Sequence, residues 1–151
     1  FINLTINKKL YKDFSSQDTF SDRLIFFLLH FAFFLKSYKK DENSKILQEI
    51  YDFNFRQLEL TLREIGYGDQ SINKKMKIYI NTFHSIISDI HYWENLDFIK
   101  KERVISKFFT NPTNYDYLIQ YFDNFSLNLS KKTLNSYLKS VSNSDYGSTK
   151  T

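Results

Sequence analysis

Residues 24–35 form a stretch of the chain that is apolar on every side of a helical projection. Its two faces consist of Leu24, Phe27, Leu28, Phe31 and Leu35, and of Ile25, Leu29, Ala32 and Phe33. A helix that is apolar all round belongs in a protein core or in a membrane. This run is well short of the ~20 residues that a bilayer span requires. We therefore predict a buried central helix from Thr19 to Lys40, with other helices packed on at least two of its sides.

Two amphipathic helices are predicted next, over residues 45–65 and 71–93. Their apolar positions recur at helical spacing: Leu47, Ile50, Tyr51, Phe55, Leu58, Leu62 and Ile65 in the first, and Ile72, Met76, Tyr79 or Ile80, Phe83, Ile86 or Ile87 and Ile90 in the second. Phe53 and Leu60 lie off the first stripe, so we expect that helix to contact two neighbours.

The link between these two helices has the composition of a structural turn. Gly66 suits the left-handed conformation in which many helices end. Gly68 allows a tight turn, and Asp69 or Ser71 offers a side-chain cap for the next helix. Because the link is so short, we expect the flanking helices to form an antiparallel pair.

The rest of the chain completes a single all-α domain of about six or seven helices over residues 1–142. A helix at residues 98–109 is capped by Asp97, and its apolar positions are Ile99, Val104, Ile105, Phe108 and Phe109. Another helix spans residues 115–129, and Ser130 is expected to cap the last one. Residues 143–151 are small and polar, and we predict a disordered tail. The first residue is Phe1 and not Met, so the position of the natural N-terminus stays open.

Composition supports this fold class and removes some chemistry. The 151 residues include only 3 Gly and 1 Pro, too few for an all-β chain with many turns, and they include 16 Phe and 11 Tyr. The absence of Cys excludes disulfides, thiolate zinc sites and a cysteine nucleophile. A net charge of +4 permits contact with anionic partners without requiring it.

No pattern of residues indicates an enzyme, a cofactor, a metal site or a small-molecule substrate. His30 lies inside the apolar run, where a histidine is usually a core residue with a satisfied hydrogen bond. His84 and His91 share a helix face but lie two turns apart, about 10 Å, which is too far to hold one metal ion. We therefore predict no catalytic residues, although a helical enzyme with an unrecognised site stays an alternative.

Lys74, Lys75 and Lys77 stand at the start of the helix predicted at residues 71–93, where positive charge opposes the helix dipole. Such a run is most often a solvated helix face. The hypothesis that we carry forward is a partner-binding patch.

Several motifs of this chain resemble, in order and spacing, the ubiquinol–cytochrome c chaperone family. They are Asp18-Thr19-Phe20 with Arg23, the pair Leu29-His30, the pair Tyr51-Asp52, the run Leu62 to Asp69, the basic run Lys74 to Lys77, and Phe83. The resemblance covers roughly residues 10–109. The chain departs from the family pattern after Phe83, where His84, Ser85 and Ile86 replace a second aromatic residue, a small residue and often an arginine.

The resemblance implies a non-enzymatic assembly chaperone for the cytochrome bc1 complex. Mitochondrial relatives of this family bind newly made cytochrome b, work with a small partner protein and associate with the ribosome. The implied location is the cytoplasm, peripheral to the inner membrane, or the matrix side if the protein is mitochondrial. The alternative is a basic helical module that binds the ribosome or nucleic acid and has no client of its own.

Overall fold

The computed structural model describes residues 20–109 and 114–140, and every regular element in those ranges is helical. Five α-helices run Phe20–Tyr38 (α1), Ser44–Ile65 (α2), Asp69–Ile90 (α3), Phe98–Phe108 (α4) and Tyr115–Ser130 (α5), and residues 134–140 form a sixth helical segment (α6). Short 3-10 turns at Asp41–Asn43 and Trp93–Asn95 follow α1 and α3. The predicted all-α fold is confirmed.

The central helix α1 is enclosed on all sides. Every residue from Phe26 to Phe34, apart from the half-buried Phe27, is at most 1% exposed. Because α1 is apolar on every side, its burial requires several surrounding helices. Its most extensive contacts are with α3 and α5. The prediction of a core helix is confirmed, with α1 ending at Tyr38, two residues earlier than expected. In the ranges that the structure describes, no helix combines the length and the hydropathy of a membrane span.

Aromatic rings connect α1 to its neighbours. The Phe31 ring centroid lies 5.1 Å from that of Phe83 in α3, and 6.4 Å from those of Tyr51 and Phe55 in α2. On the opposite side, Phe33 stacks on Phe122 of α5 at 5.3 Å. One side chain, Phe31, thus joins three helices.

The buried side of α2 follows the predicted stripe at Leu47, Phe55, Leu58 and Leu62. The expectation that α2 contacts two neighbours is confirmed, since it packs on both α1 and α3. Phe53 and Leu60 take no part in these contacts, because their side chains are 57% and 45% exposed. They lie outside the arc of α2 that faces α1 and α3. The expected left-handed end of this helix is confirmed, since Gly66 has φ +109° and donates its N–H to the carbonyl of Arg63.

Predicted helix caps were right at one position and wrong at three. Asp97 caps α4 by accepting from the N–H of Lys100 at 2.9 Å. Neither Asp69 nor Ser71 caps α3, because that helix begins at Asp69 itself and its N-cap, Gly68, has no side chain. Ser130 lies inside α5, and the N–H of Ser136 donates to Thr133 Oγ1 at the start of α6 instead.

Helix α3 ends at Ile90 and not at Trp93 as predicted. The chain turns there because Trp93 is drawn into the core, where it is 1% exposed and its Nε1–H donates to Asp123 of α5 at 2.7 Å. A second correction concerns Ile99, which belongs to the expected apolar side of α4 but is 61% exposed. The predicted tail at residues 143–151, and any helix upstream of residue 20, lie outside the described residues.

His30 is the buried polar side chain of this core, and both of its ring nitrogens have partners. Nδ1–H donates to the carbonyl of Phe26 at 2.6 Å, which leaves Nε2 to accept from the Tyr121 hydroxyl at 2.7 Å. Burial lowers the pKa of the imidazole to about 4. The prediction of a satisfied core histidine is confirmed, with two hydrogen bonds where one was expected.

We predict that Phe31→Ala lowers the free energy of unfolding by about 3–5 kcal/mol, because it removes a buried ring and leaves a cavity between three helices. Phe53→Ala is the matched control, since it removes the same ring from an exposed position and should cost less than about 0.5 kcal/mol. Chemical denaturation of both variants measures the difference. Equal midpoints would show that the α1 contacts do not organise the core.

We also predict that stability rises with pH between about 4 and 6.5 through His30. Its pKa is about 4 in the folded chain against 6.5 in the unfolded chain, so the unfolded state binds more protons in this window. The contribution is complete above pH 6.5 and is lost as the pH falls, with a slope of at most about 1.4 kcal/mol per pH unit. His30→Gln should flatten this slope, whereas His84→Gln, at an exposed position, should leave it unchanged. Denaturation curves across this range test both variants.

Candidate functional site

An open groove runs along the junction of α2 and α3. It consists of two cavities that share Tyr51, one of about 630 Å³ and one of about 950 Å³, and together they form the seam groove. It arises because α3 packs mainly on α1 and makes far less contact with α2. The face of α3 along the groove repeats at helical spacing through Asn73, Lys77, Ile80, His84, Ile87 and His91. These 18 residue steps correspond to about 27 Å of helix.

The smaller cavity lies nearer the Gly66 turn and has an apolar floor between charged walls. Tyr51, Phe55, Met76 and Ile80 form the floor. The walls consist of Asp52, Arg56, Glu59 and Lys77, two acids and two bases. This half of the groove therefore has balanced charge.

The larger cavity is the more apolar half. Its apolar lining comes from three helices: Leu35 of α1, Leu47 and Tyr51 of α2, and Phe83 and Ile87 of α3. Burial, with a smaller effect from the charge of Asp52, raises the pKa of the Tyr51 phenol. A neutral phenol at the join of the two cavities can donate one hydrogen bond without adding charge.

The rim of the larger cavity is polar and contains a fixed ion pair. Lys36 of α1 bonds to both carboxylate oxygens of Glu94 in the 3-10 turn after α3. Burial raises the pKa of Glu94, but the hydrogen bond and charge of Lys36 outweigh it, so that the net shift is downward. His84 and His91 complete the rim on α3, and both are exposed. The ion pair holds α1 against the end of α3 and keeps this edge of the groove in place.

The groove has the shape and chemistry of a binding surface for an apolar helix or peptide. A long channel with an apolar floor and polar edges accepts the apolar face of an amphipathic helix. In residues 20–109 and 114–140, no group of three or more acidic or histidine side chains could hold a metal ion.

The three predicted partner-binding lysines lie at the Gly66 end of α3 but point in different directions. Lys75 lies over the Tyr67 ring, with Nζ 4.6 Å from its centroid. Lys77 lines the smaller cavity, and Lys74 is exposed between them. With 3.6 residues per turn, Lys75 and Lys77 are about 160° apart around the helix. Of the three, Lys77 belongs to the seam groove.

The turn that contains Gly66, Gly68 and Asp69 is held by an ion-pair network. Arg63 near the end of α2 bonds to Asp69 at the start of α3 and to Glu59 one turn earlier. Gly68 has φ −77°, a conformation that any residue adopts. This network links the end of α2 to the start of α3.

Sequence reasoning predicted Lys77 and treated Tyr51 and Ile87 as ordinary core positions. Both side chains are half-buried and lie at the edge of the core, where it meets the groove. One signal was present in the sequence: on α3, Ile80 and Ile87 alternate with His84 and His91 on a single face. Such a mixed face suggests partial exposure and not full burial.

Comparison with known families gives one match. Residues 12–101 match the model of the family described as ubiquinol-cytochrome C chaperone. The matched part includes the whole of α1, α2 and α3, and therefore most of the seam groove, the Gly66 turn and the three lysines. No curated protein and no solved structure matches the chain.

Proposed function

The chain belongs to the ubiquinol-cytochrome C chaperone family, and from this premise we propose that it is a non-enzymatic assembly chaperone for the cytochrome bc1 complex. The observation that carries the proposal is the seam groove, because α2 and α3, which build it, lie entirely within residues 12–101. A chaperone of this kind needs a surface that holds apolar segments and no reacting groups. The groove offers such a surface.

The proposed occupant of the groove is a helical segment of newly made cytochrome b or of a partner assembly factor. The apolar floor of the larger cavity matches the apolar face of such a segment. The length of about 27 Å accommodates roughly 18 helical residues, close to a single membrane span. Removing this apolar surface from water supplies the binding free energy.

Reversible release follows from the openness and the mixed charge of the groove. Because the channel is open along its length, a bound segment keeps one side accessible to the next acceptor. Asp52, Arg56 and Glu59 line the α2 side and Lys77 lines the α3 side, so the smaller cavity has no strong charge preference. We propose that the client is selected by apolar character and not by sequence.

We further propose that the protein acts in the cytoplasm, peripheral to the inner membrane, or on the matrix side if it is mitochondrial. The proposed client supports this location, because cytochrome b is a bundle of hydrophobic membrane helices. A peripheral chaperone meets the client before or during insertion.

The lysines at the Gly66 end of α3 form a second proposed contact, with the ribosome, anionic lipid or a protein partner. Lys74 is exposed and has no ion pair in the part of the chain that the structure describes. A net charge of +4 favours such contacts. The competing function, a basic module that binds ribosome or nucleic acid without a client, depends on these residues and not on the groove.

We predict that a photo-crosslinking amino acid at His84 captures the client. His84 is exposed on the rim of the groove, so the substitution leaves the core intact. Ser88 is the matched control, because it is exposed one turn further along α3 and does not line the groove. Cells that make cytochrome b are irradiated, and the adducts are identified by mass spectrometry.

The expected adducts from His84 are cytochrome b or an assembly factor, and Ser88 should give few or none. Adducts that are the same from both positions would contradict a client in the groove. Deleting the gene should lower the amount of assembled cytochrome b, and unchanged assembly would contradict the chaperone function itself.

For the lysines, we predict that replacing Lys74, Lys75 and Lys77 with Gln keeps the thermal midpoint within a few degrees and weakens co-sedimentation with ribosomes or membranes. The loss should be largest at low salt, where exposed charges are least screened. Replacing Lys131, Lys132 and Lys139, three exposed lysines elsewhere, is the control. If both triple variants co-sediment as well as wild type, Lys74, Lys75 and Lys77 are only a solvated helix face.

A further inference from the structure

Three large apolar side chains are exposed in a stretch of eight residues that includes the connection between α3 and α4 and the start of α4. Tyr92 is 66% exposed, Phe98 is 46% exposed and Ile99 is 61% exposed. Tyr92 follows the last turn of α3, and Phe98 and Ile99 are the first two residues of α4. Exposed apolar side chains scattered singly are normal, but their concentration in one short stretch indicates an interaction surface.

This connection is a fixed part of the structure. Trp93 is buried beneath it, and Asp123 of α5 accepts hydrogen bonds from both Trp93 Nε1 and Lys101 Nζ, at 2.7 and 2.9 Å. Lys101 also lies 5.2 Å from the centre of the Trp93 ring. The Asp97 cap fixes the first turn of α4. The three apolar side chains are therefore held outward and do not fold back to bury themselves.

Two cations without ion pairs share one side of α4 with Ile99, whereas Phe98 projects from the flank of this helix. Lys100 and Arg103 are exposed on α4, and neither forms an ion pair within the described ranges. On the projection of α4, Ile99 and Arg103 lie on the same outward face, about 40° apart. The other two cations of this helix are engaged: Lys101 pairs with Asp123, and Lys107 pairs with Asp89. Glu102 offsets part of the charge.

The form of this surface distinguishes it from a site for a protein helix. Tyr92, Phe98 and Ile99 line neither cavity of the seam groove. Helix-in-groove binding, the mode proposed for the client, uses a concave apolar channel. A lipid interface, in contrast, admits projecting side chains: aromatic rings settle at the level of the headgroups, and neighbouring lysines and arginines meet anionic phosphates.

We infer that Tyr92, Phe98, Ile99, Lys100 and Arg103 form a membrane-facing surface that binds the headgroup region of an anionic lipid bilayer. The three apolar side chains insert at the boundary between headgroups and acyl chains, and the two cations contact lipid phosphates. The contact is peripheral, because a few side chains enter the interface and no helix crosses it. This inference rests on the membrane location proposed above and gives it a defined surface.

The test uses the purified full chain and vesicles of phosphatidylcholine with about one third phosphatidylglycerol. A triple variant, Tyr92→Gln, Phe98→Gln and Ile99→Gln, should lower partitioning onto these vesicles by about tenfold or more. The matched control is Phe53→Gln with Leu60→Gln, which removes exposed apolar side chains from the outer side of α2. It should bind like wild type. Circular dichroism melts of both variants establish that the fold is retained.

A second comparison separates the role of the charges. Lys100→Gln with Arg103→Gln should weaken binding at low salt, with a difference from wild type that shrinks at high salt. Lys131→Gln with Lys132→Gln removes the same charge from the turn after α5, and should have little effect. Vesicles of phosphatidylcholine alone should bind wild type more weakly than anionic vesicles.

The inference is overturned if wild type does not bind anionic vesicles, or if the apolar triple variant and its control lose binding equally. The second outcome would indicate that these exposed side chains bind a protein partner and not lipid. Photo-crosslinking from His84 reports on the client independently. A variant that loses lipid binding but retains the crosslink supports the membrane-facing surface, and failure of the crosslink alone contradicts only the groove proposal.

Discussion

The complete enclosure of α1 is the constraint on which the other features depend. A helix that is apolar on every face must be surrounded, and α2, α3 and α5 each direct an apolar face toward it. Phe31 shows the consequence, because its ring contacts Tyr51 and Phe55 of α2 and Phe83 of α3. Since α3 packs mainly on α1, it makes less contact with α2. The seam groove is the space that remains between them.

Much of this fold could be predicted because helical periodicity and one glycine determine it locally. The stripes of α2 and α3 and the left-handed Gly66 depend on neighbours within four residues. The wrong predictions concern contacts between helices, which the periodicity of a single helix does not determine. Phe53, Leu60 and Ile99 are apolar residues at positions where no other helix packs. Their exposure depends on how the helices are arranged. Ser130 was a reasonable cap by residue type, but α5 continues through it, and Thr133 takes that role.

The candidate site was predictable only in part. The resemblance pointed to the correct family, because its motifs lie in consecutive stretches of the chain. The groove could not be predicted from consecutive stretches, because Leu35, Leu47 and Ile87 come together only when three helices have packed. The lysines show the opposite effect. Lys75 and Lys77 are neighbours in the sequence, but the helix turns them to opposite flanks of α3, one over Tyr67 and one into the groove.

The two proposed surfaces meet at the end of α3, and their junction has a functional consequence. His91 is on the rim of the groove, and Tyr92, the next residue, begins the membrane-facing surface; their rings are 4.5 Å apart. If both proposals hold, an apolar segment held in the groove ends beside the lipid interface. A chaperone that releases its client near water exposes apolar surface in the process. Release at this end would move the segment from one apolar environment toward another, with less of its surface hydrated on the way.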